Sequence, residues 1–124
     1  ILIHAGDNRY DFSNPNRLLN LSKKFPKLLV IAAHFGGYSC WQEYFEILCE
    51  TNFYFDTSSS LFSIDYNLAK AIINKKGEDY IMFGTDFPMW RFEDEIKRFE
   101  RLKLSDSLNE KILFKNAEMF LKLL

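Results

Sequence analysis

The sequence predicts an α/β fold built on a parallel sheet. Three observations predict it. Short apolar runs recur at Ile1–Gly6, Leu28–His34, Phe53–Thr57 and Tyr80–Phe83. A stretch with helical spacing follows each run, so the order is strand then helix, four times over. The runs are continuously apolar rather than alternating, the pattern of strands covered on both faces.

Each element has its own local cause. Gly6 breaks the first strand, and the polar segment Asp7–Ser13 reads as a loop. Asn14-Pro15 starts a helix, with Asn14 suited to cap it and Pro15 to its first position. That helix carries Leu18, Leu19 and Leu21 and stops before Pro26. The second strand ends at Gly36-Gly37. Trp41, Tyr44, Phe45, Leu48 and Cys49 then fall at i, i+3, i+4, i+7 and i+8, one face of an amphipathic helix. The third strand is rich in aromatics, and a serine-rich loop follows it. Ala69, Ile72 and Ile73 give the next helix its buried side, and Gly77 follows its end. After the fourth strand, Phe92, Ile96 and Phe99 mark a further helix. A last helical stretch carries Ile112, Leu113, Ala117, Phe120, Leu121 and Leu124, with Asn116 placed to break and cap it.

Composition narrows the function. The 124 residues make one domain or less. Sixteen Lys and Arg nearly balance seventeen Asp and Glu, and no basic patch with interleaved aromatics points to nucleic acid. No apolar run is long enough to span a bilayer, and no signal peptide is visible. Cys40 and Cys49 have no metal-type spacing and read as free thiols of a reducing, cytoplasmic compartment. The chain opens at Ile1 inside an apolar run and has no initiator Met, so it reads as part of something longer.

Residues with chemical potential collect at the strand ends. The chain has two histidines; His4 ends the first strand and His34 the second. Asp56 ends the third. Asp86 ends the fourth, just before Pro88, which cannot extend a sheet ladder. In parallel α/β folds the ligand site lies at the carboxyl ends of the strands. A lone Asp in a turn equally serves as a local cap, and a lone His as a packed core residue. Both histidines and an aspartate on one predicted face favour a site. Strand alternation puts Ala32 beneath His34 and Gly84 beneath Asp86, leaving room above. It leaves open whether Asp56 or Thr57 points inward. Imidazole and carboxylate donors with an open position suit zinc, and also manganese or iron.

Four segments in this order, Ile3-His-Ala-Gly6, Ala33-His-Phe-Gly-Gly37, Tyr54-Phe-Asp-Thr-Ser58 and Phe83-Gly-Thr-Asp-Phe-Pro88, resemble the amidohydrolase-related proteins. These include metal-dependent hydrolases and the aminocarboxymuconate-semialdehyde and resorcylate decarboxylases. Lys115-Asn-Ala117 extends the likeness to the last helix. The resemblance implies the C-terminal half, strands five to eight, of a (β/α)8 TIM barrel. Residues 1–124 then form a partial barrel domain without its N-terminal half or the His-x-His pair of the family's first strand. His4 matches a metal ligand, and Asp86 a metal ligand or general base. His34 matches the residue that polarises substrate or moves a proton. Asp56 to Ser58 match a family signature without an assigned role.

The implied chemistry is hydrolysis or decarboxylation of a small carbonyl or carboxylate substrate by a metal-activated water, with zinc the first choice of metal. Arg9, Trp90 and Arg91 follow strand ends and suit a substrate carboxylate, although solvated surface positions explain the arginines equally well. A TatD-like nuclease is the rival enzyme; Gly84, where that group usually has a glutamate, counts against it. A non-catalytic truncated barrel serving as an interaction module is the other rival. Two ligands fall short of a catalytic zinc site, so the chain alone is expected to be inactive. Its open sheet edges leave it to associate with a second copy or with a missing half-barrel.

Overall fold

The computed structural model describes residues 1–122. Leu124, assigned above to the last helix, lies outside the described residues. Four short strands form one sheet: β1 (Leu2–Ile3), β2 (Ile31–Ala32), β3 (Tyr54–Asp56) and β4 (Ile81–Met82). Their order is β1-β2-β3-β4 and every pair is parallel, with Leu2 opposite Ile31, Ile31 opposite Tyr54 and Phe55 opposite Ile81. Parallel neighbours need a crossover. The crossovers contain α1 (Pro15–Lys24), α2 (Phe45–Glu50) and α3 (Tyr66–Lys76). After β4 come α4 (Phe92–Glu100), α5 (Asp106–Glu110), a π-helical turn at Lys111–Lys115 and α6 (Asn116–Lys122).

Local chemistry sets the helix ends. The Asn14 side chain accepts from the Asn16 amide and Pro15 opens α1, as the sequence predicts. Asp65 caps α3 by accepting from Asn67 and Leu68, and Gly77 ends it with φ at +103°. Ser105 caps α5. The core lies between sheet and helices, with Phe53, Phe55, Ile72, Ile73, Ile81 and Phe99 buried.

Three expected elements differ. The helix predicted from Trp41 begins only at Phe45. The Trp41 indole instead donates to the carbonyl of His34, seven residues back, at 2.7 Å, and this bond holds the segment in a turn. The strand expected to reach His34 stops at Ala32. His34 and Phe35 take φ of +62° and +50° in a 3-10 turn, so strand alternation does not place Ala32 beneath His34. Likewise β4 ends at Met82, four residues before Asp86, and the Gly84–Asp86 alternation does not hold. Nor does Asn116 cap a broken helix. It continues the helical backbone, and its side-chain amide donates to the carbonyls of Glu78 and Ile81, both at 2.7 Å.

Candidate functional site

Each strand leads to one candidate group, Asp56 at the last position of β3 and the other three in the loops that follow β1, β2 and β4, and the parallel sheet turns all four to one rim. His4 follows β1. Gly6, next in this loop, has φ of +83°, and a Cβ there would lie 2.4 Å from backbone atoms of Gly37 and Tyr38. Only glycine allows the loops after β1 and β2 to approach this closely. That approach sets His4 against His34: His4 Nδ1 and His34 Nε2 are 3.0 Å apart.

His34 is buried and held on every side. Its amide donates to Asp56 Oδ1 at 3.1 Å, and its carbonyl accepts from Trp41. Ring atom Nδ1 sits 2.8 Å from the Ser58 carbonyl oxygen. Asp56 Oδ1 also accepts from the Ser58 amide at 3.0 Å and, in a short contact, from the Ser58 hydroxyl. Asp56 rather than Thr57 therefore faces the rim. Thr57 is fully buried and joins β3 to the strand beside it, donating to the Gly84 carbonyl and accepting from the Gly84 amide. Gly84 has a specific reason to lack a side chain: a Cβ there would meet the Asp56 carboxyl carbon at 3.2 Å and Ser58 Cβ at 3.3 Å. Any side chain at this position would press on Asp56 and Ser58.

Asp86 sits in the loop after β4 with φ of +61°. Its Oδ2 accepts from Ser59 Oγ at 2.6 Å, and Ser59 Oγ in turn accepts from the Trp90 indole at 2.9 Å. The Arg98 guanidinium stacks over Trp90 at 4.4 Å and pairs with the buried Glu95. Sequence reasoning missed Ser59, which holds Asp86. The serine run was the available signal, but spacing alone does not say which serine meets which loop.

Two cavities open at the rim. One, of about 540 Å³, is lined by His4, His34, Asp56, Ser58, Gly84 and Asp86 among others. The second, of about 230 Å³, is lined by His4, Arg9, His34, Tyr38, Ser59, Phe62, Asp86, Met89 and Trp90. His4, His34 and Asp86 border both. Arg9 reaches the second cavity with its guanidinium on both Asp7 oxygens, at 3.0 and 2.8 Å, and this pairing holds the Asp7 carboxyl at about 2. The structure does not bring Arg91 to the site; it is exposed at the start of α4, pairs with Glu93 at 3.4 Å and lines neither cavity.

Partial desolvation at the rim, then the neighbouring His34, pushes the His4 imidazole below its ordinary pKa, against weaker upward pulls from Asp7 and Asp86. A neutral imidazole is the form that binds metals. His4 and the Asp86 carboxylate thus have the right chemistry for a divalent ion. Among the described residues, however, no group of three or more His, Cys, Asp or Glu side chains is arranged to hold one. The donor set fits part of a metal site.

A family model described as amidohydrolase matches residues 1–123. The chain belongs to the amidohydrolase family. Solved structures share its fold. A dihydroxybenzoic acid decarboxylase from Polaromonas sp. JS666, with bound manganese and the inhibitor 2-nitroresorcinol, is 24% identical with a TM-score of 0.69; the match covers 90% of this chain and 40% of that one. An uncharacterised TIM-barrel protein from Bordetella bronchiseptica is 24% identical with a TM-score of 0.78, over 98% of this chain and 44% of that one. An amidohydrolase from Burkholderia multivorans with bound zinc is 14% identical with a TM-score of 0.67, over 83% and 47%. The chain thus spans less than half the length of these proteins and corresponds to part of a barrel. No curated protein matches it. Among the described residues no helix is long and apolar enough to cross a membrane.

Proposed function

We propose that this chain supplies the second half of a metal-dependent barrel enzyme that hydrolyses or decarboxylates a small carbonyl or carboxylate substrate. The observation that carries this reading is the meeting of His4, His34 and Asp86, from three separate loops, around the same two cavities. His4 and Asp86 would hold the ion, zinc or manganese or iron. When bound, such an ion acts as a Lewis acid and lowers the pKa of a coordinated water toward about 7.

The chain's own groups do the rest. Asp86, steadied at Oδ2 by Ser59, accepts a proton through its other oxygen. His34 presents Nε2 to the cavity: the protonated ring would polarise a carbonyl in a hydrolase, and the neutral ring would take up and hand on a proton in a decarboxylase. Tyr38, Phe62 and Trp90 wall the second cavity and favour a small flat substrate. Arg9 can turn one arm of its fork from Asp7 to a substrate carboxylate.

The test is an assay of the intact barrel, loaded with zinc or manganese, on simple esters, lactones and hydroxybenzoates. The reading predicts turnover that a chelator removes and that Asp86→Asn lowers about 10²- to 10⁴-fold. Chelator-insensitive turnover, or full activity in Asp86→Asn, overturns it.

A further inference from the structure

The Asp56-Thr-Ser58 signature has no role in the account above, yet its polar atoms converge on His34. We infer that Asp56 and Ser58 are positioning residues that lock the His34 ring in one tautomer, with the proton on Nδ1 and the lone pair of Nε2 turned to His4 at the cavity wall.

The argument is an inventory of donors and acceptors. A carbonyl oxygen can only accept, so the Ser58 carbonyl, 2.8 Å from His34 Nδ1, demands a proton on that nitrogen. Ser58 Oγ lies 3.1 Å from the same nitrogen and by itself could either donate or accept. Asp56 removes that choice. Its Oδ1 takes the Ser58 hydroxyl proton, leaving Ser58 Oγ a second acceptor for Nδ1–H. The same oxygen holds the His34 and Ser58 amides, at 3.1 and 3.0 Å, and so fixes the left-handed turn that aims the ring. Ser58 and His34 are both buried, so water does not compete freely for these bonds. In the neutral ring Nε2 is then the acceptor, and His4 Nδ1 facing it at 3.0 Å carries the proton of that contact.

The tautomer stands on these hydrogen bonds alone. Its use, an Nε2 lone pair that can take a proton once a bound substrate displaces the His4 contact, rests on the proposed enzyme. The experiment reads only the tautomer, so failure of one leaves the other testable. Nitrogen-15 spectra of the two imidazoles in the metal-free 124-residue chain, at about pH 9 where ordinary imidazoles are neutral, distinguish a protonated from a bare ring nitrogen. For His34 we expect Nδ1 protonated and Nε2 bare, unchanged in Ser58→Ala, which keeps the carbonyl. In Asp56→Ala the His34 and Ser58 amides lose their shared acceptor, the Ser58 carbonyl is no longer held against Nδ1, and the freed hydroxyl can donate there instead, so both nitrogens should shift toward a mixture. A wild-type ring protonated at Nε2, or an Asp56→Ala ring identical to wild type, overturns the inference. Should Asp56→Ala fail to fold, Asp56→Asn takes its place. Its uncharged oxygen accepts more weakly, so the same shift is expected in smaller measure, and no shift overturns the inference.

Discussion

At the scale of single residues, the two histidines do different work. His4 is exposed at the rim and has a nitrogen for a metal, whereas His34 is buried and held at its amide, carbonyl and Nδ1. In the intact barrel His34→Ala should therefore lower turnover while sparing most of the metal, and Asp86→Asn should cost both; metal analysis beside rate measurement checks this. Equal metal loss would make His34 an ordinary ligand. Gly6→Ala tests the close approach that brings His4 to His34. A Cβ at 2.4 Å from backbone atoms, at positive φ, should cost more than about 2 kcal/mol in denaturant unfolding. His4, His34 and Asp86 were legible in the sequence because each follows an apolar run. Ser59 was not, because its partner Asp86 is 27 positions away. Arg91 misled because a position after a strand does not say which way the side chain leaves the loop.

At the scale of elements, the sequence shows every strand and most helices, since apolar runs and caps are local signals. It overstates the length of all four strands, most at β1 and β2, and helix length at α2. There, hydrogen bonds outside the regular ladders override local periodicity, as when Trp41 bonds the His34 carbonyl. The seam between β4 and the last helical segment depends on Asn116, whose amide serves two carbonyls. Asn116→Ala leaves the buried Ile81 carbonyl without that donor, and unfolding should show a loss of about 1–3 kcal/mol. The end of α3 carries a pH-dependent group. Lys76 is buried against Phe55 and Tyr80, donating to Thr51, and burial lowers its pKa from 10.5 to about 8. The unfolded chain then binds more protons than the folded one between those values, so this residue makes stability rise with pH across that window. The unfolding free energy of wild type minus that of Lys76→Met should increase from about pH 8 to about pH 10.5; a flat or falling difference would show that Lys76 stays charged in the fold.

At the scale of the whole molecule, four parallel strands make half of the eight in a closed barrel. The two outer strands are unequal. The far edge of β4 is covered by the chain itself, with Asn116 on the Ile81 carbonyl and the Phe83 amide on the Ile112 carbonyl at 2.8 Å. Among the described residues β1 pairs only with β2, and Leu2 beside the site is 66% exposed. Exposed strand edges and apolar side chains favour association. Sedimentation should therefore show the 124-residue chain growing in mass with concentration; a monomer at every concentration would contradict this. The same incompleteness governs the metal. The two ligands proposed here fall short of the three usual at catalytic zinc, so the chain by itself should hold metal loosely and turn over nothing. A manganese titration followed by NMR line broadening tests this most directly. Broadening that begins at His4 and Asp86, and saturates only at high metal concentration, is the predicted result. Broadening centred elsewhere, or tight one-to-one binding by a monomer, would contradict the assignment of these two residues as part of a shared metal site.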